Sequence, residues 1–338
     1  MTFRQLTVGR DEPIIDPDVP IIDAHHHLFD RPTLRYLFDD YLADIRSGHR
    51  IIAAVYIETQ AMARPDGPEI LRPLGEIEFA NGVGAMAASG NYGDCRVCAA
   101  IVGHADLRFG QAIGEYLDSA LDRAPDRLHG VRQVSLDDPT EAPYRYISHR
   151  PPRAIMQHPK FRLGFRELGK RGLTFDAAVF HHQLDEIADL ASAFPETTIV
   201  LDHSGHAMRL GMDPAGRAEV FETWRKKLLE VARRPNIMCK VGGFGMPFWG
   251  FGFEERPDPI GFMELATTWK PFVEASIEAF GANRCMMESN YPLDSRSCGY
   301  VPLWNALKYI VRGASSEEKA ALFYKTAARV YRINLPAL

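Results

Sequence analysis

Eight short apolar runs, each followed by a stretch that can form a helix, constrain this chain more than any other feature of it. They lie at 19–23, 51–58, 96–102, 128–134, 173–179, 197–202, 237–241 and 284–288. Such runs between turn signals read as buried strands, and strands alternating with helices build a parallel sheet. The helical periodicity is plain after the third run, where Ile113, Tyr116, Leu117, Ala120 and Leu121 share one stripe, and again at Leu184, Ile187, Ala188 and Ala191. Eight such units in one domain close most economically as a single (β/α)8 barrel, an α/β fold with long βα loops. A doubly wound open sheet is the competing arrangement, but no glycine fingerprint for a dinucleotide follows the first run. Residues 1–338 therefore read as one barrel domain, with 1–18 an irregular leader across one end. Ser315 and Glu318 are spaced as a capping box that opens the last helix.

A barrel of this kind carries its chemistry at the C-terminal ends of its strands. Polar residues collect there: His25 and His27, Glu58, His104, His181, His203, Lys240 and Asn290. In VPIIDAHHHLFD, residues 19–30, Asp23, His25 and His27 follow at every second position. A regular strand sends these three to one face and Ala24 and His26 to the other. Two imidazoles a step apart on one face can converge on one metal ion or one substrate oxygen. A lone His-x-His is a weak signal. Capping an apolar strand, among other polar strand ends, it favours function over a hydrogen-bonded polar core.

The remaining candidates each have a plainer role to set beside the functional one. Glu58 is a general base or simply the partner of an arginine, and a buried Lys240 needs a partner whatever else it does. His181 and His182 compete for the inward position at the fifth strand. The loop DDPTEAPYRYISHRPPR, residues 137–153, exceeds the length of ordinary connections, and its four prolines restrain it. Arg132 just before it, and Arg145 within it, offer guanidinium forks suited to a carboxylate. The Gly- and aromatic-rich GGFGMPFWGFGF is a lid or an oligomer contact.

A net charge of −5 with no block of like charge argues against a nucleic-acid surface. The first residues, MTFRQLTVGRDEP, lack the apolar stretch of a signal peptide, and no run approaches the roughly 20 apolar residues of a membrane span. Of five cysteines, Cys95 and Cys98 form a C-x-x-C without a second pair, which reads as buried free thiols rather than a zinc ribbon. These observations imply a cytoplasmic protein whose partner is a small-molecule substrate, compatible with a homo-oligomer.

The motifs DAHHHLFD (23–30), YIETQ (56–60), FDAAVFHHQL (175–184), VLDHSG (200–205), KVGGFG (240–245) and MESNYPLD (287–294) together resemble the amidohydrolase superfamily, in its branch of sugar-lactone and 2-pyrone-4,6-dicarboxylate lactonases. They span nearly the whole chain in the family's order. The resemblance implies that His25 and His27 are the metal pair of the first strand, that His203 is the histidine of the sixth, and that His181 is that of the fifth. It also exposes a departure. Where the superfamily has an aspartate in a Ser-Asp-Trp-Pro-like context, this chain has Ser289-Asn290-Tyr291-Pro292. A neutral amide cannot take a proton from water and gives a metal only a weaker oxygen ligand.

The expected reaction is hydrolysis of a small lactone, with His25, His27 and His203 stabilising the oxyanion. A divalent metal held by those three, zinc above others, would add Lewis acidity; without it the histidines and Arg132 must suffice. With Asn290 unable to act as base, Glu58, His181 and Asp294 are the candidates, and His181 is preferred because it titrates near neutrality. Glu58, Arg132, Arg145 and Lys240 are the expected substrate contacts. The alternatives are a metal-dependent decarboxylase of an unsaturated or aromatic acid, and a decayed barrel that only binds ligand.

Overall fold

The computed structural model describes residues 11–334. Of the leader, residues 11–18 are irregular, and residues 1–10 lie outside the described residues. Eight strands form one parallel sheet in chain order: β1 (Ile21–His26), β2 (Ile51–Ile57), β3 (Arg96–His104), β4 (Leu128–Arg132), β5 (Thr174–Ala177), β6 (Ile199–Leu201), β7 (Ile237–Val241) and β8 (Cys285–Met287). Each is followed by a helix: α1 (Phe38–Ile45), α2 (Leu74–Ala88), α3 (Ile113–Arg123), α4 (Pro159–Lys170), α5 (Leu184–Ala193), α6 (Pro214–Val231), α7 (Phe262–Phe280) and α8 (Tyr300–Ile310). The chain is a (β/α)8 barrel. Backbone hydrogen bonds close it between the first and last units, from Asn290 N to His25 O at 2.9 Å and from His27 N to Tyr291 O at 2.8 Å. None of the described helices is long and apolar enough to cross a membrane.

Capping follows the sequence. Ser315 accepts from the Glu318 amide at 3.2 Å while Glu318 accepts from the Ser315 amide at 2.8 Å, the expected reciprocal pair. The helical stretch 316–330 that it opens closes the N-terminal end of the barrel. Past its end, Tyr331 enters the interior among Ile22, Ala24, Val55, Val102, Val200 and Met286.

The first strand departs from regular alternation. Asp23 pairs with Ala54 and His26 with Tyr56, so two residues of β1 oppose one residue of β2. This extra residue is a bulge, which resets the inside–outside alternation. Ala24 and His25 consequently both face the interior. Asp23 turns outward to the hydroxyls of Tyr41 at 2.9 Å, Ser289 at 2.6 Å and Tyr300 at 3.2 Å. His26 stacks on Tyr41 at 4.2 Å on the same outer side. The expectation that Asp23, His25 and His27 share one face fails at Asp23, because the strand is not regular between Asp23 and His26.

Candidate active site

The seam that closes the barrel is also where its polar residues meet. His25 and His27 leave β1 with their Nε2 atoms 3.1 Å apart. His27 Nδ1 lies 2.9 Å from the Ile57 carbonyl, which can only accept, so the proton of His27 is on Nδ1 and its Nε2 keeps a lone pair. Opposite, Asn290 donates Nδ2–H to Asp294 at 2.7 Å, and its Oδ1 is buried without a partner. Asp294 thus fixes which way the amide points: an acceptor remains, not a base.

Beneath these groups lies a charged layer. Lys240 is fully buried and reaches Asp176 at 2.6 Å, Asp202 at 3.1 Å and His25 Nδ1 at 3.2 Å. Arg132 donates Nε–H to Glu58 at 2.9 Å, and its Nη1 stands 3.4 Å from Asp202 and 3.3 Å from His25 Nε2. Burial opposes charge on Asp202, but Lys240 and His25 beside it hold its pKa well below the usual carboxylate range. Burial pushes Glu288 well above that range. Burial, then the charge of Lys240, keeps His25 neutral; burial, then Arg132, does the same for His27.

His203 follows β6 in a left-handed conformation, φ 52°, and Ser204 (φ 50°) and Asn290 (φ 53°) share that region. Such backbone is costly for non-glycine residues and clusters at functional sites. His203 Nδ1 lies 2.7 Å from Glu288 Oε1, and burial lowers its pKa to about 3. The glycines of KVGGFG make this pairing fit: a Cβ on Gly243 would stand 2.3 Å from His203 Nδ1, and one on Gly242 2.4 Å from Glu288 Cγ.

A cavity of about 110 Å³ opens above this layer, lined by His27, Glu58, Arg132, His203, His206 and Asn290 among others. That is below the roughly 300–1,000 Å³ of sites for drug-sized ligands, and suits a small ring. Tyr146 and His149 from the long 137–153 loop, with Met246 and Phe248 from the aromatic loop, roof it. Phe248 packs edge-on against His206, Phe180 and Tyr146, at 5.3, 5.2 and 6.0 Å.

Of the residues singled out in the sequence, His27, Glu58, Arg132, His203 and Asn290 therefore border one cavity. His25 and Lys240 lie below it, so Lys240 holds carboxylates and His25 where direct substrate contact was expected. Arg145 is exposed and stacks over Tyr146 at 4.8 Å without lining the cavity. His181 does not line it either: its Nδ1 accepts from the Met208 amide at 3.2 Å. His182 lies 2.5 Å from the Asp137 carbonyl and so is not the inward alternative. The reason is the length of β5, which ends at Ala177, two residues before the apolar run ends. The inward residue of that strand is Asp176, already held by Lys240.

Asp176, Asp202, Glu288 and His206 escaped the sequence reading. Asp202 and Glu288 end their apolar runs, the same signal that marked Glu58, whereas Asp176 sits inside the run 173–179. His206 stands three residues after His203, buried, with neither ring nitrogen partnered.

The donors fit a divalent ion of the zinc type. A nitrogen each of His25 and His203 and an oxygen of Asp202 lie within 4.8 Å of one another. The 3.1 Å between His25 Nε2 and His27 Nε2 is near the roughly 3.3 Å expected of two nitrogens bound at about 2.0–2.1 Å in a tetrahedron. His25, His27 and Asp202 are the residues that would hold it, and His203 could join them only by giving up Nε2 as a base; Arg132 is a cationic neighbour.

Comparison with known proteins agrees with this architecture. The amidohydrolase family model matches residues 22–333. The chain is 31% identical over 338 residues to the uncharacterized protein y4mH of Sinorhizobium fredii (strain NBRC 101917 / NGR234), covering 94% of this chain and 99% of the other. It is 25% identical over 329 residues to L-fucono-1,5-lactonase of Burkholderia multivorans (strain ATCC 17616 / 249), covering 94% and 97%. A crystal structure of an amidohydrolase from Burkholderia multivorans with bound zinc superposes with a TM-score of 0.71 at 22% identity, over 93% of this chain and 99% of that one. With nearly its full described length matched, this chain belongs to the amidohydrolase family.

Proposed function

We propose that this enzyme hydrolyses a small lactone, with His203 as general base and acid and Arg132 as the group that receives the carbonyl oxygen. The observation that carries the reading is the pairing of His203 with Glu288 beneath a cavity that Arg132 also lines. Donation from His203 Nδ1 to Glu288 leaves a lone pair on Nε2. That nitrogen takes a proton from the attacking water and returns it to the ring oxygen as the ester bond breaks. The buried guanidinium of Arg132, held by Glu58, stabilises the negative charge that grows on the carbonyl oxygen. Asn290 Oδ1 accepts from a hydroxyl of the substrate, and His206 provides a further polar contact on the His203 side. Were His25, His27 and Asp202 to hold a divalent ion, it would supply Lewis acidity at the same carbonyl while Nε2 of His203 stayed free as the base.

The relation to L-fucono-1,5-lactonase supports a sugar-type lactone, and zinc in the related structure supports a zinc-type ion. The test is proton release from a panel of 1,5-lactones, with metal content measured before and after chelation. Turnover well above the uncatalysed rate is expected. Its absence across the panel, with carbon dioxide released from aromatic acids, would move the assignment to decarboxylation.

A further inference from the structure

We infer that the substrate carries a hydroxylated arm beyond its lactone ring, and that a second cavity beside the reaction cavity holds it. The inference rests on the lactonase reading for the ring itself. The second cavity, about 330 Å³, is larger than the reaction cavity and shares Gln60, Val134 and His149 with it. It spans the C-terminal ends of β2 to β4, where a group attached to a ring below Arg132 would emerge.

The chemistry of its walls favours a hydroxylated arm. Arg108 is satisfied by Asp106, with Nε to Oδ1 at 2.9 Å and Nη2 to Oδ2 at 2.6 Å. Arg150 is taken up by Glu141 at 2.8 Å. Glu76 accepts three hydrogen bonds at Oε1, from Tyr56 at 2.9 Å and from the amide and hydroxyl of Thr59, both at 2.8 Å. Burial, then the charge of Glu58, raises its pKa. Glu76 Oε2 and His104 Nδ1 are buried beside the cavity without partners. A carboxyl oxygen and a ring nitrogen awaiting partners suit hydroxyls that both donate and accept.

The test compares a hexono-1,5-lactone with the 1,5-lactone of a β-1,4-linked disaccharide acid, cellobiono-1,5-lactone. The wild-type enzyme should favour the disaccharide lactone at least tenfold in kcat/KM. Ala63→Trp, at an exposed position that lines only the second cavity, should abolish the preference and leave the hexonolactone rate unchanged. Ile70→Trp, also confined to that cavity, is the independent second variant. No preference in the wild type, or a preference that survives both variants, overturns the inference. If neither lactone is turned over, the lactonase reading fails and calorimetry with cellobionate decides the subsite alone. Binding weakened at least tenfold by Ala63→Trp sustains it, and absence of binding ends it.

Discussion

The barrel interior has two layers made from the same eight strands, and they obey opposite rules. Toward the N-terminal end, Ile22, Ala24, Val55, Val102, Val200 and Met286 fill the cylinder with aliphatic atoms and Tyr331 closes it. Toward the C-terminal end, the same positions one or two steps further on are His25, Asp176, Asp202, Lys240 and Glu288, all fully buried. The lower layer gains stability from packing alone. The upper layer must offset the desolvation of several charges by pairing each one, which is seldom a net gain against apolar residues of the same size. A fold that keeps such a layer does so for what happens above it.

The largest effect on stability should come from breaking that pairing. Lys240→Met leaves Asp176 and Asp202 buried without their cation, and loss of one partner from a buried pair costs about 3–5 kcal/mol. Denaturant unfolding checks this. A variant as stable as the wild type would mean that the upper layer is not held by its charges.

The N-terminal end should show its own sensitivity, to pH. His49, just before β2, lies 3.1 Å from Lys308, whose ammonium also donates to the carbonyls of Ile15 at 3.0 Å and Asp16 at 2.8 Å. Burial, then the Lys308 charge, lowers the His49 pKa to about 4. Between pH 6.5 and 4 the unfolded chain binds this proton and the folded protein does not, so stability falls as the pH drops through 6.5. From pH 6.5 to 5 the contribution is about 2 kcal/mol. His49→Asn should flatten the stability–pH curve by about that amount. An unchanged slope would remove His49 from the account.

Where the two layers touch, the effect should be smallest. Tyr331 donates to Asp176 at 2.6 Å, but Asp176 keeps Lys240 when that hydroxyl is lost. Tyr331→Phe should therefore cost about 1 kcal/mol, the usual net worth of one hydrogen bond. A loss as large as that from Lys240→Met would show that the C-terminal plug and the charged layer form one unit.

This division explains what could be read in the sequence. Apolar runs and helical stripes follow from burial, so the barrel and its strand order were legible, as was the capping box at Ser315. Glu58, Arg132, His203 and Asn290, which border the cavity, drew notice in the sequence because each lies at or within two residues of the end of a run. The rest depended on where a strand bends or stops. The bulge at Ala24–His25 turned Asp23 outward, and the early end of β5 carried His181 past the mouth. Asp176, Asp202 and Glu288 were hidden by sitting within or just beyond apolar runs, where spacing does not say which group they will pair with. His206 becomes inward-facing only through the left-handed turn at His203 and Ser204.

The assignment of the base separates the two readings of the mouth most sharply. Lactone turnover by His203→Asn and His181→Asn should be measured side by side, with circular dichroism to confirm the fold of each. The account predicts that His203→Asn lowers kcat by roughly 100- to 10,000-fold, the usual worth of general acid–base catalysis, while His181→Asn stays near the wild type. Loss of turnover in His181→Asn with activity retained in His203→Asn would contradict it.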